Sequence, residues 1–79
     1  MKARVFVTIK SDVLDPQGQA VGSALRSLGF AGVGEVRVGK LVEIELDAQS
    51  PADAKAEVDQ MCRKLLANLV IEDYRFEVA

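Results

Sequence analysis

The sequence has 79 residues with ten lysines and arginines, twelve aspartates and glutamates, no histidine and one cysteine, and its net charge at pH 7 is -2. A single cysteine excludes an intrachain disulfide and, without histidine, a zinc site. The scattered charges and short apolar runs exclude a nucleic-acid-binding surface and a membrane span. We expect one domain over residues 1–79, located in the cytoplasm, that relies on association for part of its stability.

The first element in the chain is a predicted strand over residues 3–10. Val5 and Val7 have one parity and polar residues have the other, which is typical of a strand with one buried face. Phe6 is an apolar ring on the polar side. Cover by a loop or partner, or contact with a ligand, would explain it, and we favour cover.

A helix is predicted to begin at Asp15-Pro16, because aspartate is a strong N-cap and proline suits the first helical position. Gly29 is expected to end it in a left-handed conformation. Gly18 and Gly22 lie four residues apart, which indicates either close approach of another backbone or simple tolerance at a surface. Apolar residues at helical spacing predict a core stripe. They are Val21, Ala24, Leu25 and Leu28.

The segment from Glu35 to Leu46 alternates apolar even positions with mostly charged odd positions. A two-residue hairpin at Gly39-Lys40 would place Glu43 opposite Val36 on the core face, so the alternation favours one unbroken strand. Twelve residues span roughly 40 Å in a strand, whereas the flanking helices reach only about 21–27 Å. This strand is therefore predicted to be too long for its own chain to cover.

A second helix is predicted from Ser50-Pro51 to Asn68, followed by a strand over residues 72–78 whose inner side chains are Tyr74, Phe76 and Val78. The helix carries an amphipathic stripe. Its members are Ala54, Val58, Met61, Cys62, Leu65 and Leu69.

The order strand, helix, long strand, helix, strand predicts an α+β two-layer sandwich, with an antiparallel sheet and both helices on one face. The two middle strands of a ferredoxin-like unit would be fused into the long strand. Two chains that exchange halves would rebuild two such units, which is a low-cost route to a dimer and also covers open strand edges. We therefore expect an obligate homo-oligomer.

No catalytic constellation is present, because no nucleophile, paired acid or metal ligand set has a supporting context. Cys62 lies on the apolar stripe and is expected to be a packed thiol. Lys40 has the apolar parity of its strand. It is either a side chain that reaches solvent at a bend or bulge, or a contact with a partner chain or an anionic ligand. Glu72-Asp73 is either a docking patch or a solvated strand entry.

Four motifs in order make the sequence resemble the PurS family, over almost its whole length. They are Val13–Gly18, Val36–Lys40, Met61–Asn68 and Val70–Phe76. One departure is Leu69, where the family commonly has proline after the asparagine, and this change is expected to loosen the turn between helix and strand.

The resemblance implies a small, non-catalytic subunit of phosphoribosylformylglycinamidine synthase in purine biosynthesis. In that family PurL binds ATP and forms the amidine, PurQ releases ammonia from glutamine, and paired PurS subunits bridge the two and assist ammonia transfer. The resemblance therefore implies a homodimer or dimer of dimers that binds PurL and PurQ. It implies no cofactor on this chain, whereas the holoenzyme uses ATP and Mg²⁺. The interface candidates are Asp15, Pro16, Gln17, Gly18, Arg37, Gly39, Lys40, Glu72, Asp73, Tyr74 and Arg75.

Two other functions fit a fold of this plan. A small-molecule-sensing module similar to ACT domains would dimerise through its sheets, but such modules regulate an attached or partner enzyme, and no enzyme domain is attached here. An acylphosphatase-like hydrolase would need an arginine in the loop after the first strand, and Ser11–Leu14 has none.

Overall fold

The computed structural model describes all residues 1–79 and contains a three-stranded antiparallel sheet and two α-helices. The bounds are β1 Lys2–Ile9, α1 Pro16–Ser27, β2 Gly39–Glu45, α2 Pro51–Met61 and β3 Glu72–Val78. A π-helical turn, Cys62–Leu66, continues α2. The strand order is β2-β1-β3, so the first strand of the chain lies in the centre of the sheet. The predicted α+β class and element order are confirmed.

The core lies between one face of the sheet and α2. Ala3, Val5 and Val7 of β1 are fully buried, and Val58 of α2 and Cys62 of the π-helical turn are buried against them. Antiparallel pairing places the inner residues of β2 and β3 on either side of this row, and they are partly buried. They are Val42, Ile44, Tyr74, Phe76 and Val78. The predicted alternation of β1 and β3 is therefore confirmed.

The outer face of the sheet is polar except around Phe6. The Arg75 guanidinium lies 4.0 Å from the centre of the Phe6 ring, on the neighbouring strand. A cation over an aromatic face is favourable and shields the ring from water. Phe6 is thus partly covered by a side chain of its own sheet rather than by a loop.

The strand predicted from Glu35 to Leu46 is wrong in its extent, because β2 begins at Gly39 and ends at Glu45. The chain does pass through Gly39-Lys40 without reversing, and these two residues pair with Thr8 and Val7. β1 ends at Ile9, so residues 35–38 have no neighbouring strand within the chain. A strand that pairs with these residues would have to come from another chain.

The ends of α1 are as predicted. The Asp15 carboxylate accepts a hydrogen bond from the Gly18 amide at 2.9 Å, and Pro16 occupies the first turn. At the other end Gly29 has φ 103°, in the left-handed region that glycine adopts without steric cost. The Phe30 amide donates to the Leu25 carbonyl across this turn. Local residue chemistry therefore sets both ends of α1.

The predicted burial of the α1 stripe is wrong for this chain. α1 makes only slight contact with the sheet and with α2, and Val21, Ala24 and Leu28 are exposed. Leu28 is 74% exposed and Leu25 is half-buried. The expectation that both helices cover one face of the sheet is accordingly met by α2 alone. The apolar side of α1 has no cover within the chain.

The end of α2 also differs from the prediction. The Ala67 amide donates to the Cys62 carbonyl five residues earlier, which widens the last turn into a π-helix. The widened turn shifts the following side chains around the helix axis. Leu65, predicted in the core, is 83% exposed, whereas Leu66 packs on the core and Ala67 is buried.

A polar group of three side chains ties β3 to α2. The Tyr74 hydroxyl donates to Asp59 Oδ1 at 2.5 Å, and Arg63 Nε donates to Asp59 Oδ2 at 2.8 Å. The hydrogen bond from Tyr74 lowers the pKa of Asp59 most, and the hydrogen bond from Arg63 lowers it further. The carboxylate is therefore held ionised between the two elements.

Asn68 organises the turn from α2 into β3. Its carbonyl accepts from the Ile71 and Glu72 amides at 3.1 and 2.7 Å, and its side chain accepts from the Val70 amide at 3.1 Å. Leu69 is the second residue of this turn, and its amide makes no hydrogen bond. Proline suits the second residue of a β-turn, because its ring fixes φ near the value of about −60° that this position commonly has.

We predict that Leu69→Pro raises the free energy of unfolding by about 0.4–1 kcal/mol, because it removes freedom from the unfolded chain and no hydrogen bond. Urea denaturation at fixed protein concentration measures the change. Val70→Pro is the matched control and should destabilise, since it deletes the hydrogen bond from the Val70 amide to Asn68. Equal effects of the two substitutions would contradict this account of the turn.

We predict that Tyr74→Phe raises the pKa of Asp59 toward its ordinary value, because the hydroxyl that stabilises the carboxylate is lost. A lowered pKa in the folded state stabilises the fold above the unfolded pKa, and that contribution disappears as pH falls through the folded pKa. The variant should therefore unfold at a higher pH on acidification. Carbon-13 NMR titration of Asp59 measures the pKa, and an unchanged titration would contradict the prediction. The ring stack on Phe76 is retained.

Candidate functional site

Residues 10–38 form an arm, which consists of the loop after β1, helix α1 and the returning segment to β2. The arm leaves the sheet at Ile9 and returns at Gly39, whose partner in the register is Thr8. The first and last residues of the arm, which form its root, are therefore adjacent at one end of the β1–β2 strand pair. Most of the interface candidates predicted from the sequence lie at or near this root.

The Asp15 side chain joins the outgoing limb of the arm, residues 10–15, to the returning limb, residues 29–38. It is 3% exposed, and its two oxygens accept from the Gly18 amide at 2.9 Å and from the Val38 amide at 2.7 Å. These two hydrogen bonds, with Arg37 a smaller contributor, lower the pKa of Asp15. The side chain predicted as a cap and an interface residue is thus an internal connection between α1 and the returning segment.

Arg37 makes the reciprocal connection from the returning limb to the outgoing limb. Its guanidinium donates to the Val13 carbonyl and the Ser11 carbonyl, both at 2.7 Å, and to the Glu35 carboxylate at 2.8 Å. The planar guanidinium can satisfy several acceptors at once in this way. Arg37 is half-buried, and most of its donors are already used inside the arm.

Gly18 and Gly22 are buried where the returning limb crosses α1. A Cβ atom at Gly18 would lie 2.1 Å from the Val36 carbonyl oxygen, a separation that real side chains do not adopt. Close approach of a backbone is therefore confirmed for Gly18, whereas the atoms nearest to a Cβ at Gly22 are those of the Arg26 and Val36 side chains. Gly18 is therefore needed inside the arm.

Gly39 and Lys40 begin β2. A Cβ atom at Gly39 would lie 2.5 Å from the Val7 carbonyl oxygen, so glycine permits the close pairing of β1 and β2 at this point. Lys40 lies opposite Val7, is exposed and takes part in no ion pair. Because β2 runs straight through Lys40, the explanation by a bend does not apply. A contact with a partner stays a prediction.

The four candidates on β3 have different environments. Glu72 is half-buried and accepts from the Asn68 amide at 2.7 Å, so it belongs to the turn. The Tyr74 hydroxyl is bound to Asp59 inside the protein. Asp73 and Arg75 are exposed on the outer face of the sheet, where Arg75 also covers Phe6. The structure therefore does not bring the four side chains together as one patch.

Two apolar surfaces lie outside the core. The first is the stripe on α1. The second is a groove of about 560 Å³ between the β2 side of the sheet and α2. Its lining residues are Ile44, Glu57, Gln60, Met61, Lys64, Leu65 and Leu66. Sequence reasoning placed Leu65 in the core and therefore missed the groove.

The chain offers little chemistry of its own. Burial raises the pKa of the Cys62 thiol, so the reactive thiolate is disfavoured. His, Cys, Asp and Glu nowhere gather in a group of three that could hold a metal ion. Neither helix has the length and apolar character that crossing a bilayer requires. The remaining polar side chains are turn, cap or surface residues.

Sequence reasoning missed the carbonyls of Ser11 and Val13 as partners of Arg37, and the hydroxyl of Tyr74 as the partner of Asp59. Every residue has a backbone carbonyl, so the amino-acid types do not indicate which carbonyls will accept a hydrogen bond. An aspartate before the predicted first helix and an arginine in the segment after it are the only hint that a single sequence contains.

Comparison with known proteins supports a single family. The family model described as PurS, phosphoribosylformylglycinamidine (FGAM) synthase, matches residues 2–79. A PurS subunit of this synthase from Synechocystis is 51% identical over 75 residues, which cover 95% of this chain and 75% of that protein. The structure of Bacillus subtilis PurS superposes with a TM-score of 0.87 at 50% identity, covering 99% of this chain and 96% of that chain.

A further similar structure comes from an assembly. A chain of the PurLQS structure from Thermotoga maritima superposes with a TM-score of 0.89 at 32% identity, covering 96% of this chain and 93% of that chain. The match in fold and sequence extends over the arm as well as the sheet. The chain therefore belongs to the PurS family, the PurS subunit of FGAM synthase, a ligase of purine biosynthesis.

Proposed function

We propose that this chain is a non-catalytic subunit that holds a PurL synthetase and a PurQ glutaminase in register, so that ammonia passes between them without loss to water. The observation that carries the proposal is the large apolar surface left outside the core. Only ten of the 79 residues are buried, while α1 and the groove remain uncovered. A similar chain occurs in the PurLQS structure from T. maritima.

The first partner is a second copy of the chain, and the dimensions support this. A compact domain of this length has a radius of gyration of about 12 Å, whereas this chain has 15.8 Å. A compact monomer of this mass exposes about 4,700 Å², whereas this chain exposes 5586 Å². The excess of about 900 Å² matches the roughly 800 Å² that each partner buries in a standard interface.

The two uncovered surfaces are complementary. The stripe of Val21, Leu25 and Leu28 needs an apolar partner, and the groove beside α2 lacks the second helix that a two-layer sandwich requires. In the proposed dimer, α1 of each copy packs over the groove of the other. This exchange places two helices on each sheet, as predicted for the fold, without either chain covering itself.

The free strand edges fit the same arrangement. β2 is an edge strand, and residues 35–38 approach it with no ladder partner in their own chain. In the dimer these residues can pair with the sheet of the second copy, which would extend β2 toward the length that the sequence alternation indicates. Unpaired edges are an aggregation hazard that such pairing removes. Whether two dimers associate further is left to the sedimentation measurement below.

The candidates that remain available to PurL, PurQ or the second copy are the exposed ones. They are Pro16, Gln17, Gly39, Lys40, Asp73 and Arg75. Asp15, Gly18 and Arg37 instead maintain the shape of the arm. The sensor alternative is not favoured, because the chain matches the PurS family over residues 2–79.

The synthase of this family is classified as EC 6.3.5.3 and depends on ATP. We propose that ATP and Mg²⁺ bind to PurL and that this chain contributes no cofactor ligand. We propose that the assembly acts in the cytoplasm.

We predict that a complex reconstituted without this chain loses glutamine-dependent FGAM formation but retains turnover with added ammonia, because ammonia transfer then fails while the synthetase site stays intact. Steady-state assays with glutamine and with ammonium chloride measure the two rates. Restoring the chain is the control. Equal loss of both rates would indicate a direct catalytic role instead.

We predict that Leu28→Lys raises the dimer dissociation constant by roughly a hundredfold or more, because a buried leucine is replaced by a charge in both halves of the interface. Sedimentation velocity measures the association state. Ser23→Lys, on the opposite side of the same helix, is the matched control and should leave the dimer intact. A stable, folded wild-type monomer at micromolar concentration would refute the dimer.

A further inference from the structure

We propose that Asp15 and Arg37 form a lock that fixes the direction in which the arm leaves the sheet, and thereby sets the geometry of the homodimer proposed above. Both are positioning residues: neither needs to touch the second copy. The lock is defined by the Asp15 carboxylate, the Arg37 guanidinium and the backbone groups that they bind.

The position of the lock supports this role. α1 has only slight contact with the sheet and α2, so packing does not hold the arm in one orientation. The side-chain hydrogen bonds that join its outgoing and returning limbs at the root come from two residues. Asp15 binds the Val38 amide, and Arg37 binds the Ser11 and Val13 carbonyls.

The two residues of the lock reach across in opposite directions, one from each limb of the arm. Asp15 lies on the outgoing limb and accepts from the returning limb, whereas Arg37 lies on the returning limb and donates to the outgoing limb. Two such bonds at different points restrain rotation as well as separation. Their geometry therefore determines where the exposed stripe of α1 points.

The contacts along α1 add to the lock without replacing it. The Val36 carbonyl lies against Gly18, and Arg26 donates to the Gly34 carbonyl at 3.2 Å. These contacts fix the returning limb on α1 within the arm. They lie farther from the strand ends than the bonds of the lock, which join Ser11 and Val13 to Arg37 two residues before β2 begins.

The experiment compares Asp15→Asn and Arg37→Lys with Asp12→Asn, which changes an exposed carboxylate in the same loop. Asparagine presents one acceptor and one donor, so one of the two amides bound by Asp15 loses its partner. Lysine has no planar fork to bind two carbonyls at once. We expect both lock variants to raise the dimer dissociation constant roughly tenfold or more, and Asp12→Asn to leave it unchanged.

A second readout separates positioning from general stability. A spin label at Ser23→Cys lies on the exposed side of α1, and the buried Cys62 thiol is poorly reactive by comparison. The distance between the two labels of a dimer should have a broader distribution in the lock variants than in the wild type. A residue that only stabilises the fold would reduce the amount of dimer without broadening this distribution.

The outcomes are distinct. If the wild type is monomeric, the homodimer proposal fails and the lock has no interface to orient. If the wild type is dimeric and both lock variants keep its dissociation constant and its narrow distance distribution, the lock is refuted while the dimer stands. Arg37→Lys preserves the charge and all of the Asp15 bonds, so it provides the test if Asp15→Asn does not fold.

Discussion

One helix is too narrow to cover a three-stranded sheet, and this constraint explains most of the structure. A helix with its side chains is about 10 Å across, whereas three strands extend over roughly 14 Å. α2 covers the inner face of β1 and β3 and leaves the β2 side open as a groove. A sandwich of this kind needs a second helix, and the helix that the chain possesses lies elsewhere. The open groove and the exposed apolar stripe of α1 both follow from that mismatch.

The chain consists of two parts with different physical support. The sheet and α2 are held by apolar packing around Val5, Val58 and Cys62. No apolar side chain of the arm is fully buried, and hydrogen bonds from Asp15 and Arg37 to backbone groups join its two limbs. Polar bonds of this kind are directional, so they specify an orientation where packing would specify only proximity. A bridging subunit needs such orientation more than it needs a large core.

The sequence predicted the elements and their caps well, because those depend on local chemistry. Asp15, Pro16 and Gly29 determine the ends of α1 through their own side chains and backbone preferences. The extent of β2 was not predictable, because strand pairing depends on which neighbour is present. The alternation around Val36 indicates a strand with one apolar face, but it does not indicate which strand pairs with it.

The candidate site was predicted only in part, for a similar reason. Motif residues such as Gly18 and Arg37 were identified as interface candidates, but their contacts inside the arm were not, because a sequence does not show which backbone carbonyls come close. Leu65 was placed in the core because the π-helical turn at Cys62–Leu66 has no periodic signature that precedes it. Each error came from an interaction between residues distant in sequence or from a local departure from 3.6 residues per turn.

The order of the strands also has a consequence for how the chain folds as it is synthesised. β1 lies between its two neighbours, and its pairing with β3 joins Ala3 to Val78, at opposite ends of the chain. Contacts of such long sequence separation form late and slowly. The sheet therefore cannot be completed until β3 has been synthesised, because the central strand has only one of its two neighbours before that point.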